Sequence, residues 1–150
     1  MTSRRTFLRS LDTAAVERAI ALAETRTSGE IRVSIAGFFV GSSRRLAERA
    51  FRGLGLHATR NRNGVLLLLA PARREVVVLG DEAIHTQVGD AFWTEIAARV
   101  STRFREGHFT QGVVDAVDAI GEALARHFPA GAEAGGNPNE LPDTLDLGDH

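Results

Sequence analysis

An α/β domain with a small mixed central sheet is what this sequence predicts: a parallel β-α-β pair plus an antiparallel hairpin strand, covered by helices on both faces. Three observations lead there. Val65 to Ala70 is an unbroken apolar run, as in a strand buried on both faces. Val76 to Leu79 is short, β-branched and closed by Gly80, and Pro71-Ala72-Arg73-Arg74 between the two runs has proline where a turn starts. Stretches with apolar residues at helical spacing precede, separate and follow these strands.

Taken in order, the chain opens with Ser3-Arg4-Arg5-Thr6-Phe7-Leu8-Arg9, a close copy of a twin-arginine export motif. Asp12, Glu17, Arg18 and Glu24 interrupt the next stretch, so no apolar leader forms and the match is read as coincidence. Residues 1–11 are expected to be an N-terminal arm. Asp12 or Thr13 can cap a helix with Val16, Ala19, Ile20 and Ala23 on one face, ending near Ser28-Gly29. From Glu30 to Phe38, Ile31, Val33 and Ile35 alternate with Arg32 and Ser34, which predicts a strand with one face less fully covered. Gly41-Ser42-Ser43 opens the next helix, Leu46, Ala50, Phe51 and Leu54 forming its stripe, with Ser43 a good N-cap. Strand, helix, strand in this order makes residues 30–38 and 64–70 parallel, joined by a right-handed crossover.

After the hairpin, Ile84, Val88, Phe92, Ile96, Val100 and Phe104 mark a long amphipathic helix, with Trp93 on its buried face and a restart at Gly89-Asp90. Thr110 can cap a last helix, built on Val113, Val117, Ile120, Leu124 and Phe128 and stopped by Pro129. Residues 130–150 carry five acids, no arginine and much Gly, Pro and Asn, and are expected to be a flexible acidic tail. One α/β domain is therefore assigned to residues 12–129.

Composition excludes whole classes of chemistry. The 150 residues contain no cysteine and no lysine, which removes disulfides, thiolate metal sites, cysteine nucleophiles, the P-loop lysine and Schiff bases. Residues 1–63 carry 12 Arg against 5 acids, while residues 64–150 carry 6 Arg against 14, so a formal net charge of -1 hides a strongly dipolar chain. Such a chain suits one acidic partner or itself and lacks the basic balance of a nucleic-acid binder. No apolar run is long enough to span a bilayer, so a soluble, cytoplasmic protein with no direct membrane insertion is expected.

With the elements laid out, the chain resembles the TPM domain family, formerly a domain-of-unknown-function family, in a short soluble form. The resemblance rests on TSGEIRVSI at 27–35, NGVLLLL at 63–69, RREVVVLGDEAI at 73–84, Phe92-Trp93, Phe104 with Gly107 and Gly112, and HFP at 127–129. It implies a small sheet between helices, often on proteins tethered to membranes. The roles it brings are a thylakoid lumen acid phosphatase, divalent-cation binding, and accessory subunits or modulators of membrane complexes and receptors. The family's commoner form carries an export signal and an anchor, and this chain is expected to lack both.

Strand direction then sorts the polar residues onto two rims about 20 Å apart. A basic rim receives Gly41, Ser42, Ser43, Arg44, Arg45, Arg73 and Arg74; Ser42, Ser43 and Arg73 could bind an anion at the helix start. An acidic rim receives Glu30, Asn61, Asn63, Asp81 and Glu82, the oxygen ligands Ca2+ or Mg2+ prefers. Glu30, Asp81 and Asn63 are the metal candidates, joined by Asp90 if the following helix folds back over the rim. The same residues also read as ordinary strand ends and caps, and both readings stand at this level. Asp81 and His85 share one helical face, but the five histidines form no metal-binding pair, and no GxSxG, Walker or dinucleotide motif occurs. The expected function is an accessory binding module that holds a divalent cation and contacts a protein partner. The alternative is a metal-assisted acid phosphatase acting on phosphomonoesters, with an arginine such as Arg62 balancing charge.

Overall fold

Six consecutive apolar side chains leave Val65 to Ala70 no face to show to water, and they form the middle of the sheet. The computed structural model describes residues 3–131; the expected acidic tail lies outside them from residue 132 on. Among the described residues, β1 (Glu30–Ile35), β2 (Gly64–Ala70) and β3 (Glu75–Gly80) lie side by side in that order. β1 is parallel to β2, with Glu30 opposite Gly64 and Ile35 opposite Leu69. β3 is antiparallel to β2, with Val65 opposite Gly80 and Ala70 opposite Glu75. This is the expected mixed sheet.

Alternation along the strands builds two cores. Ile31, Val33, Ile35, Val65, Leu67, Leu69 and Val78 face one way, into helices α2 (Thr13–Glu24), α5 (Asp90–Arg105) and α6 (Phe109–His127). Leu66, Leu68 and Ala70 face the other way, against Leu46, Ala47, Ala50 and Phe51 of α3 (Ser43–Gly53) and Leu56 of a short 3-10 turn. Burying one such aliphatic side chain contributes roughly 1.5–3 kcal/mol, so β2, buried on both faces, is the most costly strand to disturb.

Several boundaries differ from the sequence expectation, each for a local reason. The arm contains helix α1 (Arg4–Arg9), capped by Ser3 and pinned by Phe7, whose ring lies 5.3 Å from Phe104 and 5.4 Å from Phe109. Helix α2 stops at Glu24 rather than near Ser28-Gly29, because Thr27 forms a bridge with Pro129 and Glu24 turns its carboxylate onto the Ile31 N–H at 2.7 Å. Strand β1 ends at Ile35, three residues early, and both its faces are covered: Arg32 is 6% and Ser34 0% exposed, on the side of the α3 core. The restart expected at Gly89-Asp90 is found: the long stretch from Ile84 breaks at Gly89, whose φ of +80° favours glycine, into α4 (Glu82–Val88) and α5. Thr110 lies inside α6 instead of capping it, and its hydroxyl accepts the Asp12 N–H at 3.0 Å, tying α6 to the start of α2.

Candidate functional site

The topology delivers both rims. At the acidic one, β1, β2 and β3 meet Glu30, Asn63-Gly64 and Gly80-Asp81, and the Asp81 N–H donates to Gly64 O at 2.8 Å. Glu30, Gly64 and Asp81 therefore stand in one row across three strands, but the outer two lie two strand spacings apart, about 10 Å. The middle place is closed. A Cβ on Gly64 would lie 2.8 Å from Leu56 O, so the 3-10 turn sits directly on this glycine.

Asp81 is committed twice. Arg62 holds it in a bidentate pair, Nε to Oδ2 at 2.7 Å and Nη2 to Oδ1 at 2.9 Å, and Oδ1 also accepts the Glu82 N–H at 2.8 Å as the cap of α4. Burial pushes the Asp81 carboxyl up, but the Arg62 hydrogen bond, the Glu82 N–H and the charges of Arg62 and His57 together outweigh it, leaving the group below its ordinary range. Arg62 reaches this position with φ +51° and is itself raised by the same pair. Its Nη1 also lies 3.8 Å from exposed Glu82.

The other metal candidates disperse. Asn63 is buried and gives its Nδ2 to Ser28 Oγ at 3.1 Å, a hydroxyl that also accepts Asn61 Nδ2 at 3.2 Å. Asn63 Oδ1 is buried with no hydrogen-bond donor. Asp90, 92% exposed, starts α5 and lies 3.5 Å from His85 Nε2 instead of joining Asp81. His85 Nδ1 accepts the Trp93 indole N–H at 3.0 Å, which places the proton of a neutral ring on Nε2, toward Asp90. Among the described residues no three His, Asp or Glu side chains converge as a metal-holding group. Glu30, Asn63 and Asp81 thus share a rim while Asp90 lies apart on α5, and the Asp81 carboxylate is turned onto Arg62.

The basic rim is likewise spoken for at the three residues expected to hold an anion. Ser42, not Ser43, caps α3, accepting the Arg45 N–H at 3.1 Å. Ser43 donates to Glu75 Oε1 at 2.5 Å, so a carboxylate of the chain stands where an added anion would go. Arg73 lies 3.8 Å above the Phe39 ring and donates to Phe39 O at 2.6 Å and to Gly41 O. Its charge is spent on holding the loop of residues 37–41. On that loop Phe38 is 91% and Val40 81% exposed. The apolar pattern alone puts Phe38 at the end of a strand; the glycines at 37 and 41 are the signal that this run leaves the sheet.

A third feature is the outer edge of β3. The Asp81–Gly64 bond fixes the ladder's phase, so Leu79, Val77 and Glu75 exchange hydrogen bonds with β2 while Val76, Val78 and Gly80 turn theirs outward. Along this edge runs a cleft of about 280 Å³ between α3 and α5, lined by Val76 to Gly80 with Arg44, His85, Asp90 and Trp93.

Comparisons with known proteins agree with this architecture. The model of the TPM domain matches residues 1–123. The NMR structure of the BA42 protein from the psychrophilic bacterium Bizionia argentinensis superposes with a TM-score of 0.80 at 34% identity, covering 91% of this chain and 92% of that one. No curated protein is significantly similar in sequence.

Proposed function

The chain belongs to the TPM domain family, and from that premise we propose that it works as an accessory module which contacts a protein partner by strand addition at β3. The observation behind this reading is the open edge itself. Three successive outward positions, Val76, Val78 and Gly80, present N–H and C=O groups to a cleft whose walls are helices. Exposed edges of this kind pair with an extended segment of another chain unless they are covered or charged. Val77 and Leu79 are half-buried, leaving apolar surface for alternate side chains of an added strand. A photo-cross-linker at position 77 is expected to give a discrete adduct in cells. Val76→Pro should abolish that adduct, since it deletes an outward N–H while sparing the β2 ladder. Adducts that persist in a folded Val76→Pro variant would end the proposal.

A divalent cation is a second reading, favoured by one atom. Asn63 Oδ1 is buried without a donor, and an oxygen in that state accepts a cation readily. Glu30 and Asn63 alone fall short of the six to eight oxygens calcium takes, so Asp81 would have to leave Arg62 to complete the set. Ca2+ or Mg2+ should then raise the melting temperature, and Asn63→Leu should remove that rise. An unmoved melting temperature rejects this reading. The metal-assisted phosphatase needs the same release of Asp81, and purified protein is expected to leave a generic phosphomonoester intact.

A further inference from the structure

We propose that the loop of residues 37–41 is a contact for an anionic lipid surface, with Phe38 and Val40 entering the interfacial layer and the arginines below them meeting lipid phosphates. It is distinct from the strand-addition edge and shares only Arg44 with that cleft. Phe38 is 91% and Val40 81% exposed, while Phe39 between them turns inward toward the α3 core, so the loop presents two bulky apolar side chains as a convex tip. Large side chains held this far into water are uncommon on a protein that uses no interface.

The tip is held in shape. Arg73 stacks on Phe39 and donates to the carbonyls of residues 39 and 41, which anchors the loop to the β2–β3 turn. Holding the tip in this way lowers the ordering cost on contact. Close to the loop and to its Arg73 anchor in the chain are Arg44 and Arg45, exposed on the first turn of α3, and Arg74, exposed at the end of the β2–β3 turn. Glu48 lies 3.7 Å from Arg44 and offsets its charge, and Glu75 accepts from Ser43, so Arg45 and Arg74 are the cations left to meet phosphates.

Charge complementarity favours an anionic membrane over a protein socket. A fluid leaflet brings phosphates to whatever positions the arginines occupy and needs no pocket matched to a convex tip. No helix among the described residues is long and apolar enough to cross a membrane, so the contact is interfacial. Each arginine near such a surface multiplies partitioning by about fivefold, and the two apolar anchors add about a further tenfold or more.

Sedimentation of the full chain with vesicles tests this. Partition onto vesicles containing roughly one-third phosphatidylglycerol should exceed that onto pure phosphatidylcholine by about tenfold or more and fall as salt is raised. The double variant Phe38→Ser/Val40→Ser should weaken binding by about tenfold and, separately, Arg45→Glu/Arg74→Glu by about 25-fold or more, with unchanged circular dichroism and melting temperature showing that both are folded. Three results would overturn the proposal: wild type that does not sediment with anionic vesicles, serine variants that bind as well as wild type, or a dimer of this chain that the serine variants dissolve.

Discussion

The two rims of the sheet, built by the same three strands, solve opposite problems. At the acidic rim the groups are polar and buried, and apart from Asn63 Oδ1 they are turned onto neighbours: Asp81 onto Arg62 and Glu82, Asn63 Nδ2 onto Ser28. At the basic rim the conspicuous groups are apolar and exposed, and the polar ones serve to hold them up, as Arg73 holds the Phe39 carbonyl. The difference teaches where to look for function in this fold. Buried polar groups that satisfy one another are part of the structure, because leaving them unmade costs more than making them gains. Apolar groups kept in water cost the chain surface it could have buried, and that cost is offset only on contact with something else.

Substitutions at the two rims should therefore separate stability from binding. The largest effect is expected from Gly64→Ala, at the centre of the acidic rim. Its Cβ would press on the Leu56 carbonyl, a backbone atom that can yield only by lifting the 3-10 turn off β2. A loss of about 3 kcal/mol is expected in urea denaturation; an unchanged midpoint would show that the rim is looser than its contacts imply.

Next comes Asp81→Ala, which deletes a helix cap and both bonds from Arg62. Because Arg62 is half-exposed and regains water, the pair adds at most about 1 kcal/mol to the roughly 1 kcal/mol of the lost cap, about 2 kcal/mol together. The pH profile carries the same signature. The folded Asp81 carboxyl titrates below its unfolded value, so its contribution is fully present above the ordinary carboxylate range and is lost as pH falls through that range and below the folded value. Asp81→Asn should flatten the acid limb of the stability curve relative to wild type. Equal slopes would mean that the ion pair contributes nothing.

On the basic rim the expected costs shrink. Arg73→Ala removes a cation–π contact and two exposed carbonyl bonds, about 1 kcal/mol, and should be read chiefly as faster hydrogen exchange in residues 37–41. Phe38→Ser should change stability by less than about 0.5 kcal/mol while weakening vesicle binding, since that ring is left almost wholly in water by the fold. A large loss of stability there would collapse the contrast between the rims.

The hydrophobic pattern was enough to obtain the sheet, its order and its directions. An all-apolar β2, an alternating β1 and a proline turn leave few other ways to bury those side chains, and the residues that gather at each rim follow from strand direction. The helix start after Asp12 and the break at Gly89 were legible for the same kind of reason, since caps and positive φ are written in single residues. Pattern could not show partners. That Arg62 takes Asp81, that Ser43 gives its hydroxyl to Glu75 across 32 positions, and that Arg73 supports a loop rather than an anion are choices between residues far apart in the chain. Helix α1 was hidden likewise, because its one anchor, Phe7, has meaning only beside Phe104 and Phe109. Local periodicity follows from how a backbone turns and which side chains avoid water, and these act within a few residues. The pairing of polar groups depends on angstrom-scale distances that exist only once distant segments have packed.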